Sequence, residues 1–365
     1  MTLRGITWNH PRGYRALDAI AEREGGIAWS RQSLSGFEET PLRELAARFD
    51  LLVIDHPNLG DPDAAGALVP LDREPALADL VAELRAQSVG ESFSSYEVGG
   101  RLWALPIDAA TQVAVRTPRC PVPPTSWRAV VDVAREVPTA LCLGGPHAFL
   151  MLAALCAADG DPLLDEAGEW GDLNTLETAL DLMRRLLTVV DREASQLTPI
   201  RLLDLMASGE GPDLCPLVYG YVSYQEGPAP RLRASDAPRG AAAHGSVLGG
   251  TGVALSAAAD RAAAVVAAAR LLSAEVQRTV YPERGGQSAR LDVWRDTAAN
   301  TAVHDFYRDT EATMRDAWVR PRVPWYPALQ REGSDLVRDG LLEGRPTREI
   351  RDALIDCRRE LKESA

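Results

Sequence analysis

Leu51-Leu52-Val53-Ile54 is an unbroken apolar run that stops at Asp55-His56-Pro57. A short continuous run of this kind reads as a strand buried on both faces, which is the habit of parallel sheets covered by helices. The flanking sequence agrees. Leu3–Trp8 reads as a first strand, ended by Asn9-His10-Pro11-Arg12-Gly13. Tyr14, Leu17 and Ile20 follow at helical spacing, Ile27–Leu34 reads as a second strand, and Pro41–Arg48 as another helix. Strands alternating with helices predict an α/β chain with a mostly parallel, doubly wound sheet. Open sheets of that kind place their ligands at the carboxyl ends of the strands, where Asn9-His10 and Asp55-His56 stand.

The chain has 365 residues, enough for two lobes of roughly 100–200 residues each. Its net charge of -13 argues against a nucleic-acid partner, which would need a basic face to displace counterions. The single lysine, Lys362, lies close to the C-terminus, so a Schiff-base, pyridoxal-phosphate or phosphate-loop lysine is not expected. The five cysteines, Cys120, Cys142, Cys156, Cys215 and Cys357, form no C-x-x-C pair and suit a reducing compartment. H-E-x-x-H, EF-hand and G-x-S-x-G signatures are absent, and no metal or cofactor is expected.

No stretch approaches the roughly 20 apolar residues of a membrane span, so no membrane insertion is expected. Met1–Ile20 carries Arg4, Arg12, Arg15 and Asp18 and no signal-peptide core, and the chain has no early lipidation cysteine. The expectation is a cytoplasmic protein as the sequence stands, or an extracytoplasmic one if an export signal precedes it.

Further along, two short runs flank Gly99-Gly100, a hairpin signal, and Ile107–Val115 reads as a long strand. Pro124-Thr125-Ser126-Trp127 reads as a helix start with a capping hydroxyl before Arg128–Val137, Ala140–Leu143 reads as a strand, and Gly144-Gly145-Pro146-His147 opens a helix to about Ala158. Amphipathic helices are expected over 174–190 and 198–207, and Leu217–Tyr224 reads as a strand. Val247–Ser256 leads into a long Ala-rich helix, and terminal helices fall near 333–342 and 346–362.

Several of these segments resemble the family 1 extracellular solute-binding proteins of ABC importers. Phe49–Asp72 is similar to the family's segment after the second strand, Gly100–Asp108 to its G-x-L-W-A-L-P-x-D wording, Pro124–Trp127 to its P-x-T-W helix start, and Gly249–Ser256 to its G-G-x-G-x-A-I-S return. The resemblance implies a two-lobed periplasmic-binding-protein type 2 fold with a hinge and a central cleft. It implies one lobe from 1–111 plus about 250–305, and a second from 112–249 plus about 306–365. It further implies a small-molecule ligand, carbohydrate-like or an organic acid, and an ABC importer permease as partner if the protein is exported.

Candidate ligand-binding residues follow from strand ends, the crossover and the return segment. They are Trp8, Asn9, His10, Asp55, His56, Asp108, Tyr219, Tyr221, Gly250, Thr251 and Arg320. Trp8 is a possible stacking surface, and the tyrosines come from a strand that the resemblance aims at the cleft. At period two, Tyr219 and Tyr221 share a face and Tyr224 points away. Gly250 lets backbone approach a ligand, and Arg320, in Trp318-Val319-Arg320-Pro321-Arg322, suits an anion or, equally, a surface or inter-lobe salt bridge to one of the chain's many acids. A second reading makes the protein an enzyme on the same fold, with Asp55, His56, His10 and Asp108 as acid–base groups. Against it stands the reading of the same residues as loop-orienting or passive contacts.

Overall fold

The computed structural model describes residues 2–61 and 64–365; Met1, and Pro62 and Asp63 of the Gly/Asp/Pro-rich loop, lie outside them. Its strands are β1 (Leu3–Trp8), β2 (Ile27–Gln32), β3 (Leu51–Ile54), β4 (Glu97–Val98), β5 (Arg101–Leu102), β6 (Leu105–Arg116), β7 (Leu214–Tyr219), β8 (Arg233–Ser235) and β9 (Leu248–Leu255). All four residues of β3 are buried, as a two-face-covered strand requires.

The main sheet has the order β2-β1-β3-β9-β6-β7, with β8 also on β6. β1 runs parallel to both β2 and β3, while β9 is antiparallel to β3 and β6. The sheet is therefore mixed rather than mostly parallel: the return strand β9, and β7 and β8 as well, run against β6. β6 is long enough to serve two neighbourhoods. Leu105–Thr111 pairs with β9, and Gln112–Arg116 pairs with β7 and β8. β4 and β5 form the expected hairpin, and Gly99 and Gly100 take φ values of 60° and 69°, the two positive values its tight turn demands.

Two hydrophobic cores result. One lies about β1, β3, β9 and β6 and includes Leu17, Ile20, Leu51–Ile54 and Leu105, continuing onto Cys215 and Val218 of β7. The other surrounds the helix His147–Ala158, in which every residue but Ala157 is buried. A helix apolar on all sides belongs at the centre of a helical layer. It packs against Leu173–Leu186 and Tyr326–Leu342, with Thr347–Ser364 closing the outside.

Two expected strands differ. Ala140–Leu143 forms no ladder, because its amides are shared out: Ala140 donates to the Leu214 carbonyl, Leu141 to Ser195 Oγ and Leu143 to the Ser195 carbonyl. β7 begins earlier than expected and ends at Tyr219. Gly220 then bends the chain into the 3-10 turn Val222–Gln225, so Tyr221 and Tyr224 lie outside the strand.

Candidate ligand-binding cleft

Because β1 and β3 are parallel neighbours, with Gly5 opposite Leu51 and Ile6 opposite Leu52, their carboxyl ends open on the same edge. Asp55 there caps the 3-10 turn His56–Gly60. Its Oδ1 accepts from the His56 amide at 2.9 Å, while its own amide donates to Asn58 Oδ1 at 3.2 Å. Arg320 Nη2 stands 2.7 Å from both carboxylate oxygens of Asp55. Burial alone would raise the Asp55 pKa; the Arg320 charge and the His56 ring nitrogen outweigh it and hold the carboxyl at about 2. His56 is only 1% exposed. It lies behind Asp55, edge-on to Tyr96, with Nδ1 3.2 Å from Asp55 Oδ1. Burial first, and then Arg320, lowers its pKa to about 4.

A second buried pair lies at the start of the helix Pro11–Glu24. Arg12 Nε donates to Asp108 Oδ2 at 2.9 Å, and Nη2 to Asp108 Oδ1. The two residues are 5% and 3% exposed. Arg12 Nη1 also donates to the Gly220 carbonyl at 3.2 Å, and the guanidinium lies 4.9 Å from the Tyr221 ring centroid and 5.6 Å from that of Trp8. One side chain thus joins the end of β1, the crossover strand β6 and the turn after β7. His10 caps the same helix: its Nδ1 accepts from the Arg12 amide at 3.2 Å. Its ring stacks on Trp8 at 5.0 Å, covering one face of that indole, and burial with the Arg12 charge lowers its pKa to about 4.

Between these pairs lies a cavity of about 280 Å³. Trp8, Phe37, Tyr219 and Tyr221 give it aromatic walls, Leu150 and Ile200 add apolar surface, and Thr198, Thr251 and Gln330 add polar groups. Gly249 and Gly250 contribute bare backbone. Gly250 sits at φ 108°, and a Cβ there would come within 2.3 Å of the Asp108 carbonyl oxygen. A wider groove of about 990 Å³ shares Pro146 and Gln330 with this cavity and runs outward past Pro57, Asn58, Pro324 and Arg331.

His147 also lines the cavity. It is 9% exposed and edge-on to Tyr219, and its ring makes no hydrogen bond among the described residues. Burial, aided by Arg320, lowers its pKa to about 3, so near neutrality it is an uncharged ring with one donor and one acceptor. The loop that presents it is tied down by Ser334, whose Oγ donates to the Gly145 carbonyl at 2.6 Å and accepts from the Ala148 amide at 3.1 Å. Ser334→Ala is expected to cost about 1–3 kcal/mol, because it strands a buried amide. A urea melt measures this, and a loss below about 0.5 kcal/mol would show that the tie is idle.

Trp8, Asp55, Tyr219, Tyr221, Gly250, Thr251 and Arg320 from the sequence reading therefore meet on one cavity wall. Asn9, His10, His56 and Asp108 do not. Asn9 is exposed and its amide bonds the Gln32 carbonyl; His10 is a helix cap, His56 sits behind Asp55, and Asp108 lies behind Arg12. Of the four acid–base candidates only Asp55 lines the cavity. Asp55 and Asp108 are held by arginines, the His10 Nδ1 lone pair is occupied, and His56 is off the wall. Tyr219 and Tyr221 share the wall through a turn, not through strand alternation. Arg12, Phe37, His147, the segment Thr198–Ile200 and Gln330 were not among the expected residues. Arg12 carried the best signal, at a strand end beside His10, and His147 stood out as a polar residue heading an apolar helix. Gln330, inside an ordinary amphipathic helix, carried none.

No protein-family model matches this chain, and no curated protein matches it in sequence. Solved structures do match. An ABC transporter solute-binding protein from Agrobacterium radiobacter, in complex with ribitol, is 19% identical with a TM-score of 0.81, over 100% of this chain and 99% of that one. One from Thermotoga lettingae, bound with α-D-tagatose, is 18% identical with a TM-score of 0.80, over 99% of each chain. A third, from Agrobacterium vitis with bound D-mannitol, is 16% identical with a TM-score of 0.74, over 100% of this chain and 99% of that one. The chain has the two-lobed α/β architecture of these solute-binding proteins, the periplasmic-binding-protein type 2 fold.

Proposed function

We propose that the protein reversibly binds one small neutral polar molecule, a sugar or polyol, in the cavity between its lobes, and that the lobes close over it. The observation that carries this reading is the charge balance of the wall. Among the described residues its charged members are Arg12, Arg320 and Asp55, and with Asp108 behind Arg12 they form two complete ion pairs. What remains for a ligand is aromatic surface, backbone, hydroxyls, an amide and a neutral imidazole. That set suits a molecule with apolar faces and hydroxyl edges. The ribitol, tagatose and mannitol in proteins of the same fold support this class.

The lobes are taken as 1–111 with about 250–305, and 112–249 with about 306–365, with β6 and β9 carrying the chain between them. All five cysteines are free thiols, and four are buried, which supports a reducing compartment. Delivery to an ABC importer permease is the proposed role if the protein is exported. No helix among the described residues is long and apolar enough to cross a membrane.

Isothermal titration calorimetry against ribitol, D-tagatose, D-mannitol and maltose tests the ligand class. One of these is expected to fill a single site with Kd of about 1 μM or tighter, about 8 kcal/mol of binding free energy. Binding of none of the four would overturn the reading.

A further inference from the structure

Asp55 and Arg320 both line the cavity, and each has chemistry the other hides. Arg320 is only 4% exposed. Its Nη2 is spent on both oxygens of Asp55 at 2.7 Å, and its Nη1 reaches Gln330 Oε1 at 3.4 Å. Its Nε is buried with no acceptor. Without Asp55 this would be a guanidinium facing a small cavity with no counter-ion, an arrangement that attracts a carboxylate or phosphate. Asp55 does not depend on Arg320 for its place. Its backbone closes a capping box with Asn58, and its carboxylate already accepts from the His56 amide.

We propose that Asp55 determines the charge of the ligand: it is a built-in counter-ion that occupies the place on Arg320 where a ligand oxyanion would otherwise sit. Asp108, behind Arg12 and off the wall, neutralises that second guanidinium from the far side. No other charged side chain lines the cavity among the described residues. The wall is kept neutral by two carboxylates rather than by a lack of cations, so removal of one carboxylate changes the class of ligand accepted. This rests on the reading of the cavity as a ligand seat and specifies which ligands it refuses.

Asp55→Asn keeps the shape and the capping oxygen of the side chain and removes its charge, leaving Arg320 without a counter-ion. The probe is inorganic phosphate, with succinate beside it, titrated calorimetrically into the full-length protein. Wild type is expected to show no saturable binding of either. Asp55→Asn is expected to bind phosphate at least tenfold more tightly than wild type, on the scale of one or two hydrogen bonds to a charged group, roughly ten- to a hundredfold. Asp55→Asn/Arg320→Gln, which has neither charge, is expected to return to the wild-type null.

Thermal melts with and without phosphate give a second readout, since an anion that binds the folded form raises its midpoint. Asp55→Ser, which retains a capping hydroxyl, is read in the same way. Phosphate binding by wild type as tight as by either variant would overturn the proposal. So would the absence of both a titration signal and a midpoint rise in Asp55→Asn and Asp55→Ser. Failure of wild type to bind any neutral polyol would instead count against the functional reading, because the gain of anion binding is measured independently of it.

Discussion

Arg12→Met is expected to destabilise the folded protein by about 3–5 kcal/mol, the usual cost of leaving one member of a buried ion pair without its partner. Asp108 would keep its place in β6, sealed from water, with its countercharge gone. The Gly220 carbonyl would lose a donor at the turn that presents Tyr221, and the Trp8 and Tyr221 rings would lose the cation between them. A second substitution separates charge from packing. Arg12→Met/Asp108→Leu removes both charges and is expected to recover most of the loss, since an apolar pair of similar volume often replaces a buried ion pair at no net cost. Urea melts of the two variants measure this. A loss below about 1 kcal/mol for Arg12→Met would mean that Asp108 finds water on relaxing and that the pair is not a keystone of the wall.

The second large effect is with acid. Folding holds His10, His56 and His147 at about 4, 4 and 3, below their ordinary 6.5, with burial the leading cause in each. Below pH 6.5 the unfolded chain takes up protons that the folded form refuses, so stability falls as pH drops from 6.5 towards 4. Each fully buried ring contributes at most about 1.4 kcal/mol per pH unit, so His56 and His147 together give a slope of up to about 3 kcal/mol per unit. His10, less deeply buried, adds less. Asp55 shifts in the same direction from a lower start: its stabilisation is complete above its unfolded value of 3.8 and is lost only as pH falls towards 2, so it leaves the 4–6.5 window untouched. Urea midpoints at pH 7.5, 6.5, 5.5 and 4.5 are expected to be level over the first interval and to drop steeply thereafter. His147→Phe is expected to flatten that drop. A midpoint constant down to pH 4.5 would contradict the neutral, buried state of these rings.

The sequence revealed the frame of the site better than its chemistry. β3 was legible because an apolar run ended by Asp-His-Pro has few other solutions, and the parallel neighbour β1 brought Trp8 to the same edge. Arg320 was legible as part of an Arg/aromatic cluster, but its meaning was not. In isolation it read as an anion receptor or, equally, as half of a salt bridge to an unspecified acid. The carboxylate that neutralises it lies 265 positions earlier, and no local pattern carries a pairing of that range. Arg12 was passed over for a related reason. Its neighbour His10 looked like the chemical group, whereas the structure uses His10 as a cap and sends Arg12 inward to an aspartate 96 positions away. The two tyrosines reached the cavity by a route that strand periodicity does not describe. Gly220, confined between Phe306 and Val113, ends β7 and turns Tyr221 to the side that Tyr219 already faces.

In the proposed function, ligand sits between the Asp55–Arg320 and Arg12–Asp108 pairs. Hydrogen–deuterium exchange of the full-length protein, with and without saturating amounts of the tightest-binding polyol, tests it most directly. Slowed exchange is expected in peptides covering 8–14, 55–60, 146–150, 198–202, 219–222 and 249–252, with the outer helix 347–364 unchanged. Protection that leaves these segments untouched, or that centres on the surface groove between the helices Pro11–Glu24 and Arg261–Leu271, would contradict it.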